Sequence, residues 1–130
     1  MINKSSVHAI NAVIYIAKKP ENVYVGAKQI AKEIDAPPNY LSKILQQLAN
    51  IGMLTSRRGL KGGFSLAISP KEIRLFDIVE PLENISQWEN CILAGAKCTD
   101  ENSCVLHNQY KKVREKYLKM LKNNTIQSLI

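Results

Sequence analysis

At 130 residues, with 45% apolar and 22% charged side chains, the chain can bury one core and is too apolar to be disordered. No apolar run approaches the ~18 residues of a membrane span, and Met1–Ser6 lacks a secretory pattern, so a cytoplasmic protein without a disulfide framework is expected. The formal charge of +7 is uneven, with 9 Lys/Arg against 3 Asp/Glu in residues 1–70, 3 against 7 in 71–103, and 6 against 1 in 104–130. A basic first half points to an anionic partner, nucleic acid foremost.

Residues 5–19 read as a helix, with Val7, Ile10, Val13, Ile14 and Ala17 at helical spacing and Pro20 after a basic last turn. Val23-Tyr24-Val25 is a short extended piece. A second helix spans about Ala27 to Asp35, with Ala27, Ile30, Ala31 and Ile34 facing inward, and Pro37-Pro38 then breaks the chain. The third helix begins at Pro38 or Asn39 and stops at Gly52. Its apolar stripe is Leu41, Ile44, Leu45, Leu48 and Ile51; opposite lie Asn39, Ser42, Lys43, Gln46, Gln47 and Asn50. Two short helices, a tight turn and an outward face able to donate and accept at base edges make a helix-turn-helix.

Residues 53–57 and 64–68 suit strands, the second with Phe64, Leu66 and Ile68 inward. Between them, R-G-L-K-G-G at 58–63 is a glycine-rich turn, and Arg57, Arg58 and Lys61 put three cations at its tip. A basic hairpin directly after such a helix is the wing of a winged helix, whose arginine can enter a minor groove. Lys28, at the start of the second helix, adds a further cation to the candidate DNA-contact set. Ser69-Pro70-Lys71-Glu72 has the form of a capping box, yet Ile73-Arg74-Leu75 alternates. The preferred reading is a third wing strand at 73–75 and a helix over about 76–82.

From Cys104 to Asn123 the pattern is helical, with Leu106, Tyr110, Val113, Tyr117 and Met120 repeating at 4-3-4-3. Such a stripe serves a partner helix, either in a second subunit, which is preferred, or within the same domain. Thr125 can cap a final turn carrying Ile126, Leu129 and Ile130.

Cys91, Cys98 and Cys104 are the chain's only cysteines, and His107 follows. Thiolates gathered in this way hold a metal or switch by oxidation. Gaps of six and five residues suit an iron–sulfur cluster better than a zinc knuckle, although three Cys plus His could still hold zinc. Cys104 and His107, three apart at a helix start, face the same way, which makes His107 the leading fourth ligand. No nucleotide loop, nucleophile–base pair or paired carboxylates stand out, so no enzyme is expected.

Y-L-S-K-I-L-Q-Q-L-A-N-I-G-M-L at 40–54, S-R-R-G-L-K-G-G-F at 56–64 and the three-cysteine loop, in this order, resemble the bacterial winged-helix regulators that include the iron–sulfur biogenesis regulator IscR and the nitric oxide sensor NsrR. The resemblance covers essentially the whole chain. It implies a mainly α (α+β) winged helix-turn-helix, dimeric through its long C-terminal helix, on a palindromic operator in double-stranded DNA. It also implies an iron–sulfur cluster, [2Fe–2S] in preference to [4Fe–4S], whose presence or state alters DNA affinity. By position, Asn39 and Ser42 fall where bases are contacted, Tyr40 where a phosphate is, and Arg58 where the wing enters the minor groove. Ser42 stands where IscR-like proteins are acidic, which implies a different operator preference, and the first cysteine gap is one residue longer than in the best-known members. Some members complete the cluster from the first helix of the other subunit, so His8 competes with His107. The expected division is a DNA-binding domain at 1–82, a cluster loop at 83–103, and a dimerisation helix with a terminal turn at 104–130. Outside DNA-linked cluster sensing, the alternatives are a thiol-redox or zinc-binding winged-helix protein, or a cluster-binding adaptor that makes no DNA contact.

Overall fold

The computed structural model describes residues 2–90, 93 and 105–130; Cys91, Cys98 and Cys104 lie outside the described residues. The first helix, α1 (Lys4–Ala17), starts where the Asn3 side chain accepts the Ser6 N–H at 2.9 Å, satisfying one of the orphan donors of a helix start. Its deepest face is Ser6, Ala9, Ala12, Val13 and Ile16, while Val7 is exposed. The inward face is therefore rotated from the expected Val7/Ile10 stripe. The small alanines allow three other helices and a wing strand to approach α1 closely.

Helix α2 (Ala27–Ile34) buries Ile30 and Ala31 and ends where Asp35 takes the left-handed conformation at φ 56°. Helix α3 (Pro38–Asn50) opens on proline, whose missing N–H costs nothing in the first turn. Leu41, Ile44, Leu45 and Leu48 are buried, each contributing about 1.5–3 kcal/mol by transfer from water. Ile51, expected to extend that stripe, is 52% exposed because the helix has already ended and Gly52 turns at φ 86°.

The wing pairs β1 (Leu54–Arg57) antiparallel with β2 (Gly63–Leu66), in the register Leu54↔Leu66 to Arg57↔Gly63. On its other side Phe64 exchanges two backbone hydrogen bonds with Val25, of 3.0 and 2.9 Å. A Cβ at Gly63, where φ is +136°, would sit 2.3 Å from the Val25 carbonyl oxygen, so only glycine fits this crossing. Strand β2 ends at Leu66, and Ile68, expected inward, is exposed.

The expected third wing strand at 73–75 does not form. Arg74 bridges Thr125, the Ile126 N–H donates to the Ile73 carbonyl at 2.8 Å, and the Leu75 N–H donates to that of Asn124 at 2.9 Å. Ile73 and Ile126 are both fully buried in the main core, and burying this pair draws 73–75 to the C-terminal segment. The Ser69–Glu72 box is a turn, closed by the Glu72 N–H on the Ser69 carbonyl at 2.9 Å, and it starts no helix.

Helix α4 (Leu75–Glu83) begins one residue earlier than expected; the Asp77 carboxylate accepts the Arg74 N–H at 3.0 Å and a 2.9 Å ion pair from its guanidinium. Burial pushes the Asp77 carboxyl up, but the side-chain bond, backbone bond and charge of Arg74 together hold it below the ordinary carboxylate value. A short 3-10 turn follows at Ile85–Glu89. Helix α5 (His107–Asn123) rests on α4 through a second cluster of Val79, Ile85 and Leu121, flanked by Phe76, Trp88, Tyr117 and Leu118. Its apolar side chains are divided: Leu121 is wholly buried, whereas Val113 and Met120 of the expected stripe are 54% and 47% exposed. The terminal turn is Gln127–Leu129, preceded by Thr125, whose hydroxyl accepts the Ser128 N–H at 3.3 Å.

Candidate nucleic-acid interface and cysteine loop

On α3, Asn39, Ser42, Lys43 and Gln46 are all exposed, the face opposite the buried leucines. The Gln46 side-chain amide donates to Asn50 at 3.1 Å, a bond along the helix surface. Gln47, assigned to the same polar face, instead donates to the Pro81 carbonyl at 3.0 Å and ties α3 to α4. Tyr40 is half-buried; its hydroxyl donates to the Ser5 hydroxyl, and its ring meets His8 edge-on at 5.7 Å. The phenol expected at a phosphate is thus held by α1 in this structure. Lys28 is exposed in the first turn of α2.

Strand β1 follows α3 and packs on it. Arg58 and Lys61 are exposed in its turn, where the Gly62 N–H donates to the Gly59 carbonyl at 3.0 Å. Arg57 is exposed too, but its guanidinium lies 4.3 Å from the centre of the Tyr24 ring, an attraction that holds it to the stem of the wing. Tyr24 is marked in the sequence by alternation alone. In Val23-Tyr24-Val25 an inward Val25 leaves its neighbour facing out beside the wing.

At the other end, the base of the cysteine loop is anchored twice. The Arg114 guanidinium donates to the Trp88 carbonyl at 3.1 Å, and the Trp88 ring lies 5.0 Å from that of Tyr117. Burial, and secondarily the charge of Glu83, raise the Tyr117 phenol above its ordinary pKa. Among the described residues its hydroxyl has no hydrogen-bond partner. The Glu83 carboxylate accepts the Asn3 N–H at 3.0 Å and the Ser6 hydroxyl at 2.7 Å. Glu83 thus ties α4 to the start of α1, whose Ser5 in turn meets Tyr40 on α3.

Among the described residues no three His, Cys, Asp or Glu side chains gather as a metal site. The three expected thiol ligands lie outside them, but the donor chemistry of three thiols with an imidazole nearby fits an iron–sulfur group. The two histidines expected to compete as a fourth ligand are both buried. His107 is 5% exposed and opens α5; His8 is 8% exposed, with Nδ1 buried and unpartnered among the described residues.

Residues 2–130 match the family profile described as Rrf2, an iron-dependent transcriptional regulator. The chain belongs to the Rrf2 family. A protein of Aquifex aeolicus (strain VF5) named as an HTH-type transcriptional regulator is 31% identical over 125 residues, covering 95% of this chain and 86% of that one. The HTH-type transcriptional regulator NsrR of Shouchella clausii (strain KSM-K16) is 24% identical over 124 residues, covering 95% and 83%. Among solved structures, the oxidized form of Staphylococcus aureus CymR superposes with a TM-score of 0.79 at 25% identity, covering 99% of this chain and 94% of that one. T. potens IscR shares the fold, with a TM-score of 0.78 at 22% identity and coverage of 99% and 85%. As an Rrf2 protein the chain is a transcriptional regulator and not an enzyme. Among the described residues no helix is long and apolar enough to cross a membrane.

Proposed function

We propose that this Rrf2 protein is a cytoplasmic, homodimeric regulator that binds a palindromic operator, with an affinity set by an iron–sulfur group held at Cys91, Cys98 and Cys104. The signal would be iron–sulfur, redox or nitric oxide status. The observation that carries the DNA part is the exposed set Asn39, Ser42, Lys43 and Gln46 on one face of α3, followed in the chain by a wing exposing Arg58 and Lys61. Side chains of the first group can reach base edges in a major groove, and the wing cations suit a minor groove. A dimer through α5 would cover Val113 and Met120 and place two recognition helices about one or two helical turns apart.

The cluster part is supported by the three thiols, by the iron-dependent description of the family and by the relatives' names. When bound, the group would supply redox and nitric oxide reactivity that side chains alone lack. The chain's own part is to release protons from three thiols, to complete the site with His107 or with His8 of the second subunit, and to carry its state to α3. We assign that last task to two sets of contacts, Trp88 packed on Tyr117 of α5, and Glu83 bonded to the start of α1, whose Ser5 meets Tyr40. In this reading residues 1–82 recognise DNA, 83–103 hold the cluster and 104–130 form the dimer contact.

The test is anaerobic purification with iron, sulfide and zinc analysis, visible spectroscopy and operator binding over a range of salt. A brown protein whose operator affinity falls steeply with salt is expected. A colourless anaerobic protein with stoichiometric zinc would overturn the cluster, and absence of salt-dependent DNA binding would favour an adaptor role. A second reading draws on the structural neighbour solved in an oxidized form. Here peroxide oxidises two thiols to a disulfide and is itself reduced to water. That reading requires regulation by peroxide in iron-free protein.

A further inference from the structure

The geometry points to Leu60 as a minor-groove wedge, an apolar side chain that enters a base step and helps bend the operator. The inference rests on the DNA-binding reading above and adds a specificity-determining residue to it. Leu60 is fully exposed at the tip of the wing, on a turn whose backbone is tightly constrained. The Gly62 N–H donates to the Gly59 carbonyl at 3.0 Å, and Gly59 takes φ +101°. A Cβ at Gly62 would lie 2.1 Å from the Arg57 carbonyl oxygen, which shows how closely the two arms of the turn approach. Leu60 is thus presented on a short, closed turn.

Single apolar side chains are ordinary on protein surfaces, so exposure alone decides nothing. What distinguishes Leu60 is its setting. Arg58 lies two residues before it and Lys61 directly after it, both exposed, whereas Arg57 is held back over Tyr24. The leading edge of the wing is therefore a leucine between two cations. Cations alone would suffice for phosphate contact, and any small polar residue would keep the tip hydrated. A leucine wholly in water gains nothing from this fold and gains only on meeting an apolar surface. Proteins that bind and bend DNA through its minor groove combine basic side chains with Leu, Ile, Met or Phe pushed between base steps. Pyrimidine–purine steps open most easily, so the wing should favour a TA or CA/TG step where its tip falls.

The experiment uses full-length protein and duplexes that the wild type selects from a random-sequence pool. Affinity over a range of salt and bend angle by end-to-end energy transfer are measured for wild type, Leu60→Ala and Leu60→Met. Leu60→Ala is expected to bind about tenfold more weakly, or about 1.4 kcal/mol, to bend DNA less and to lose the flexible-step preference. Its salt slope should be unchanged, because no phosphate contact is removed. Leu60→Met should retain the wild-type behaviour. A Leu60→Ala protein with wild-type bend and step preference overturns the wedge, whatever its affinity. Failure of the wild type to select any duplex would instead overturn the DNA-binding reading beneath it.

Discussion

Replacing Gly63 by Ala should destabilise the protein more than the same change at Gly59 or Gly26. The site takes φ +136°, which costs a side-chain-bearing residue about 1–3 kcal/mol. The new Cβ would lie 2.3 Å from the Val25 oxygen and 2.7 Å from the Gly26 nitrogen, backbone atoms that no rotamer change can move aside. Relief requires β2 to part from residue 25, which gives up the two Val25–Phe64 hydrogen bonds, worth about 1 kcal/mol each. The sum, about 3–5 kcal/mol, is a large share of the roughly 5–15 kcal/mol that holds a domain together. Two internal controls separate the causes. Gly59→Ala meets no atom within 4 Å but has φ +101°, so it should carry only conformational strain, about 1–2 kcal/mol. Gly26→Ala, in open space and at φ −68°, should cost less than about 1 kcal/mol as an N-cap change. Urea unfolding at neutral pH measures all three. A Gly63→Ala loss no larger than that of Gly26→Ala would refute the reasoning.

Leu121→Ala, at the fully buried seat of α5 on α4, should cost about 2–5 kcal/mol in the same assay through the cavity it leaves. Glu83→Ala should cost about 1–3 kcal/mol, because it strands the buried Ser6 hydroxyl. It should also lower the Tyr117 pKa part-way, since burial is the larger cause of its rise; NMR titration of ring-labelled tyrosine reads this. The Asp77 carboxyl is held below its ordinary value, so its contribution is present above about pH 4 and is lost as pH falls through the lowered pKa. Asp77→Asn should therefore reduce stability at neutral pH and flatten the acid limb, as urea titrations at several pH values would show. Arg58→Ala should weaken operator binding and reduce the slope of log affinity against log salt by about one phosphate contact.

The recognition half was legible because its signals are local. Leu41, Ile44, Leu45 and Leu48 repeat at the helical period, Pro37-Pro38 separates two helices, and the glycines of 58–63 announce a tight turn. Boundaries moved by a residue or two, and one apolar residue at the end of α3, Ile51, proved exposed once the helix had stopped. The site was legible as a set of exposed polar positions but not in its internal ties. Nothing local indicates that Gln47 bonds to α4 or that Tyr40 turns towards Ser5, since both partners are distant in sequence.

The amino-acid sequence by itself determined the helix-turn-helix and the glycine-closed basic wing. Each follows from spacing within a few residues, where backbone geometry and side-chain period act directly. Only the tertiary structure decided which partner each extended or half-apolar segment would take. Residues 73–75 pair with the C-terminal segment because Ile73 and Ile126 must share one core, and Val25 takes the place beside β2 because Gly63 lets two backbones touch. The stripe of α5 is divided between its own domain and solvent for the same reason. A helical repeat specifies which residues face together, whereas only packing specifies what they face.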